Sequence, residues 1–158
     1  MPNHRTHLFT GLTSAVLLAY ILKQYSAHLV QTIPHLLLCI CFALAGSIFP
    51  DIDIDSKMQR MFWPTITIIL LLTLFTAQFH LFIILTVITF FITLIGHRTI
   101  THEFWFVMSF PCALAWYLTT QRKITPFAYV CALFFIVGAC SHIFLDRTVS
   151  KLKRHFRR

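Results

Sequence analysis

Charge is what this 158-residue chain has least of. Only 11% of its residues are Asp, Glu, Lys or Arg, and five of these are acidic. A soluble domain carries about a quarter charged residues, so the composition excludes an ordinary soluble fold. Glycine is also scarce, at four residues, and no internal repeat or low-complexity linker divides the chain. No C-x-x-C pair occurs, and all five cysteines (Cys39, Cys41, Cys112, Cys131 and Cys140) lie inside apolar stretches. That placement excludes a disulfide framework and suits small apolar residues in helices. What the chain has in abundance is hydrophobic residues, 58% with 17 Phe, and its mean hydropathy is +0.77. Together these indicate one integral membrane domain over residues 1–158.

The formal charge of +8 does not indicate nucleic acid. Arg147, Lys151, Lys153, Arg154, Arg157 and Arg158 all follow the last apolar run. A basic tail in that position suits a cytoplasmic end facing anionic lipid. The first apolar stretch follows Arg5 but carries Thr10, Gly11, Thr13 and Ser14, and no small-x-small site follows it. It reads as a retained span and not as a cleaved signal peptide.

The apolar runs cover residues 8–22, 34–49, 62–96, 104–118 and 126–145. A span needs about 20 apolar residues. The run 62–96 is too long for one ordinary span and long enough for a hairpin of two short helices, with a turn near Gln78 and His80. The expected fold is therefore all-α, a polytopic bundle of about six short transmembrane helices. With both termini in the cytoplasm, ten basic residues fall inside and three outside, a bias that the tail largely supplies.

The few acids are not scattered. Asp51, Asp53 and Asp55 follow the second expected span, Glu103 opens the fifth and Asp146 ends the sixth. Six crossings bring all five to the cytoplasmic face, together with His4, His7, His97, His102 and His142. Four motifs converge there: His4-x-x-His7-x-x-x-Gly11, Pro50-Asp51-x-Asp53, His97-Arg98-x-x-Thr101-His102-Glu103 and His142-x-x-x-Asp146.

On a helix, His142 and Asp146 share one face. Ionisable groups beside a membrane span are costly unless satisfied, and a shared metal ion satisfies imidazole and carboxylate together. In an extended segment Asp51 and Asp53 would point the same way. His97 and His102 need a turn between them to face one point, with Thr101 capping the next helix. Arg98 offers a fixed cation for phosphate or carboxylate. Glu103 suits a ligand, a partner of a ligand, a general base or simply a helix N-terminus. His7 stands at the membrane edge and is the better ligand candidate of the first pair. His4, His28, His35, His80, His155 and Asp55 read as surface, turn or tail residues.

These motifs resemble the YdjM family of bacterial inner-membrane proteins, nearly from end to end and in the same order. The resemblance implies a metal-dependent hydrolase near the zinc-dependent phospholipase C superfamily, with a helical His/Asp site cleaving phosphoesters. The chain departs from the family in carrying Glu103 where Ser is common, and its segment after Pro-Asp-x-Asp is short. It also lacks the Arg and the Pro-Ser-Gly-His block of lipid phosphatases with a histidine nucleophile, which excludes that family.

The expected site holds one or two divalent ions, with zinc the expected metal, on His7, Asp51, Asp53, His97, His102, His142 and Asp146. Arg98 would hold an anionic group, and Glu103 or one of the aspartates, such as Asp53, would act as base. The expected partners are membrane lipid and a phospholipid or amphiphilic phosphoester substrate. Two other outcomes suit the same residues: a structural, transport or sensing metal site, or a metal-free polar network that pins the helices.

Overall fold

A computed structural model describes residues 4–25, 32–51, 57–94, 103–121 and 127–155. Among them every regular element is helical: α1 (His4–Tyr25), α2 (Ile33–Ile48), a 3-10 turn (Phe49–Asp51), α3 (Lys57–Phe75), α4 (Phe79–Leu94), α5 (Phe104–Gln121) and α6 (Phe127–His155). The fold is an all-α bundle, as the apolar runs predict. Among the described residues three segments are long and apolar enough to cross a membrane: Arg5–Tyr25, Ile33–Asp51 and Phe127–Val149. The other apolar helices are shorter, at Trp63–Phe75, Phe79–Phe90 and Phe104–Thr120.

Local chemistry sets several boundaries. Thr32 precedes α2 in an extended conformation, and its hydroxyl accepts the backbone N–H of His35 at 3.4 Å. Pro34 follows in the first turn, where a missing N–H costs nothing. The long apolar run breaks where its length requires. After α3, Gln78 N–H bonds the Thr73 carbonyl at 2.8 Å and Ala77 N–H bonds that of Leu74 at 3.0 Å. This paired closure needs a left-handed residue, and Ala77 takes that role at φ 52°. The hairpin turn predicted near Gln78 is thus present. At the other end of the chain, α6 runs 29 residues, about 43 Å at 1.5 Å per residue. That exceeds a hydrocarbon core of about 30 Å, so the helix continues through the start of the basic tail.

The chain forms two units: α1, α2, α5 and α6 make one, and α3 with α4 makes the other. In the first unit, α2 packs most extensively against α6. Lipid tails offer no hydrophobic drive for helices to associate, so close packing of small residues must supply the contact. A Cβ on Gly46 would collide with the Phe135 backbone carbonyl, and one on Gly138 with that of Ala43. Two glycines on opposing helices therefore let the backbones touch. Ala15, Cys39, Ala43, Val130, Cys131 and Phe134 fill the core along this seam. Large apolar side chains such as Phe9, Leu17 and Phe144 are exposed, as lipid-facing residues are.

Two predictions follow from this packing. Gly138→Ala forces α6 off the α2 backbone and should destabilise the protein by about 2–3 kcal/mol, read as a lowered thermal midpoint by circular dichroism in detergent. Ala77→Gly removes the cost of a left-handed alanine and should stabilise by about 1 kcal/mol, whereas Ala77→Val should destabilise.

Candidate metal centre

The site grows out of the same helix contacts. Gly138, His142 and Asp146 are spaced by four, so they share one face of α6. Gly138 meets the α2 backbone, and one turn later His142 reaches the end of α2, where its Nδ1 lies 2.7 Å from the Ser47 carbonyl oxygen. A carbonyl can only accept, so Nδ1 carries the proton and donates it. If the ring is neutral, its lone pair is then on Nε2. On α1 the same spacing recurs. Gly11 lies so close to Ser47 that a Cβ would crowd its side chain, and His7, one turn earlier, stacks on His142 with ring centroids 3.8 Å apart and planes 18° from parallel.

Asp146 completes the cluster. Its Oδ2 lies 3.6 Å from Nε2 of His142, and its Oδ1 lies 3.6 Å from Nε2 of His7. Both imidazoles are buried, at 3% exposure for His7 and 0% for His142. The buried Oδ1 of Asp146 has no hydrogen-bond partner among the described residues. Asp51 belongs to the 3-10 turn whose Phe49 and Pro50 are buried. His7, Asp51 and His142 each offer a ligand atom, and these atoms lie within 4.8 Å of one another.

Electrostatics narrows what this arrangement can do. Two stacked imidazolium ions 3.8 Å apart would repel by about 4 kcal/mol at an effective dielectric of about 20, which disfavours charging both rings at once. A separation of 3.6 Å is too long for a direct N–H···O bond. It is near the about 3.4 Å edge of a tetrahedron built on zinc bonds of about 2.0–2.1 Å. Two imidazole nitrogens and two carboxylates are the donors that a divalent transition metal prefers. The hydrogen bond to Ser47 resembles the outer contact that fixes the tautomer of metal-bound histidines. The residues present thus fit a metal ion.

Of the expected site residues, the structure brings together His7, Asp51, His142 and Asp146. Asp53, His97, Arg98 and His102 lie outside the described residues, as do Asp55 and Thr101. Glu103 directly precedes α5 and is exposed, and its carbonyl accepts the N–H of Phe106 and of Val107 at 3.1 Å. Asp51 departs from expectation in one respect. It lies in a 3-10 turn that continues directly from α2 and not in an extended segment; the φ of Pro50 is compatible with either. His80 is exposed on α4, and the ring of His35 lies 4.4 Å from that of Phe127. Sequence reasoning missed Ser47, which acts through its backbone carbonyl. The signal that could have found the contact is the glycine spacing: Gly11 four after His7, Gly138 four before His142, and Gly46 beside Ser47.

A family model described as YdjM inner membrane protein matches residues 1–151, nearly the whole chain. No curated protein and no solved structure matches.

Proposed function

We propose that this chain, which belongs to the YdjM family of inner membrane proteins, is a membrane-embedded metal-dependent hydrolase. Its substrate is a phosphoester or a lipid-like molecule, met at the cytoplasmic membrane face. The observation that carries the reading is the convergence of His7, Asp51 and His142 within 4.8 Å, with Asp146 3.6 Å from both imidazoles.

In this reading His7, His142, Asp51 and Asp146 hold one divalent ion, zinc being the metal these donors suit best. Asp53, His97 and His102 add ligands for the same ion or a second. The ion supplies Lewis acidity and activates water. The Ser47 carbonyl holds His142 in the orientation in which Nδ1 carries a proton. Arg98 orients an anionic group, and Glu103 or an aspartate such as Asp53 takes the proton from the attacking water. Asp146 keeps part of its side chain accessible, at 18%, which gives the cluster an outward side.

A second reading rests on the deep burial of both imidazoles. A metal with a closed ligand shell would serve a structural, transport or sensing role. Turnover separates the two readings.

The first test is elemental mass spectrometry of detergent-purified protein beside the His142→Ala, Asp146→Ala double variant. The expected result is about one or two zinc ions per chain, lost in a variant that keeps its helical circular dichroism, and phosphoester turnover that depends on the metal. Metal without turnover across a phospholipid and phosphoester screen would favour the closed-shell role. No stoichiometric metal, even after reconstitution, would overturn both and leave a polar network.

A further inference from the structure

Beside the cluster, α1 and α6 enclose an open groove of about 540 Å³. Its walls include Thr10, Thr13 and Ser14 on α1, and Val137, Ser141 and Leu145 on α6. Three observations define what it would hold. First, its hydroxyls are already committed. Thr10 donates to the His7 carbonyl, Thr13 to those of Phe9 and Thr10, Ser14 to Thr10 and Ser141 to Gly138. The walls therefore offer an occupant methyl and methylene groups and no spare hydroxyl donor. Second, both walls belong to helices long and apolar enough to cross a membrane, so the open side faces hydrocarbon. Third, the groove lies along the same stretches of α1 and α6 as the polar cluster: Thr10 is three residues from His7, and Ser141 and Leu145 are chain neighbours of His142 and Asp146.

Along α6 the groove runs from Ile136 to Leu145, about 13 Å by helical rise. A second recess of about 270 Å³ lies among α2, α5 and α6, lined by Phe42, Leu114 and Ala132 among others. Phe49 stands at its inner end, stacked on Phe110 and edge-on to Phe135. The residues lining this recess include none within four positions of His7, His142 or Asp146, whereas the α1–α6 groove is lined by the chain neighbours of His142 and Asp146.

We infer that the α1–α6 groove is the seat of one acyl chain of a membrane phospholipid, which reaches it sideways from the bilayer and brings its headgroup to His7, His142 and Asp146. The headgroup half rests on the hydrolase reading above. The acyl-chain half stands on the groove itself.

The test uses the full chain in bilayers of phosphatidylethanolamine and phosphatidylglycerol. A small fraction of the phosphatidylglycerol carries a diazirine midway along one acyl chain. After illumination, labelled peptides are located by mass spectrometry. Labelling should concentrate on Thr13, Val137, Cys140 and Phe144, severalfold above Leu17, Phe75 and Trp116, which are exposed outside the groove. Ser14→Leu, which fills the groove, should reduce groove labelling about tenfold, equivalent to ~1.4 kcal/mol. Val137→Phe, from the opposite wall, should do the same if Ser14→Leu fails to fold. Even labelling over all lipid-facing positions would overturn the inference. So would labelling concentrated at Phe42, Leu114 and Ala132, or groove labelling that the filling variants leave unchanged. Metal content of the same sample reads the hydrolase proposal separately. Groove labelling without metal keeps the acyl seat and removes the hydrolase; metal without groove labelling does the reverse.

Discussion

The backbone contact between α2 and α6 is the constraint on which the rest depends. Gly46 and Gly138 each occupy a position where a single added carbon would strike a carbonyl of the facing helix. Because the helices approach this closely, the ring of His142 reaches the Ser47 carbonyl at 2.7 Å. That bond fixes the tautomer, and the tautomer aims Nε2 toward Asp146. Gly11 repeats the device on α1, setting His7 over His142. Packing and site chemistry are thus written in one spacing of four residues, small residue to ligand.

In hydrocarbon the arrangement would be costly if left uncompensated. Buried imidazoles and a carboxylate lose hydration, and ionisable groups within spans are retained where they pair or serve a function. The stacked rings cannot both be protonated without strong repulsion. With Nδ1 of His142 donating to a carbonyl, its neutral Nε2 faces a carboxylate oxygen at 3.6 Å. A divalent ion is one group that would satisfy these donors together, since His7, Asp51 and His142 each offer a ligand atom within 4.8 Å.

Much of this is legible in the sequence, for physical reasons that differ by element. The helical class follows from apolar runs too long and too continuous for anything but a membrane bundle. The split of the long run follows from its length, and Ala77 and Gln78 lie where the length places the turn. His142 and Asp146 follow from helical period. His7 and Asp51 are placed with His142 by an expected even number of crossings, and the three offer ligand atoms within 4.8 Å of one another. Ser47 is not legible, because a backbone carbonyl leaves no signature in a side chain. The 3-10 form of the turn at Asp51 is also missed, since Pro50 is compatible with extended and helical geometry alike. Asp53, His97, Arg98 and His102 remain expectations drawn from motif and spacing.

The most direct measurement is the ring-nitrogen spectrum of His142, from histidine-labelled protein studied by nuclear magnetic resonance with and without zinc. The account predicts a neutral ring protonated at Nδ1, with Nε2 shifting on addition of zinc while Nδ1 keeps its proton, and no such shift in Asp146→Asn. A ring protonated at Nε2, or one indifferent to zinc, would contradict it.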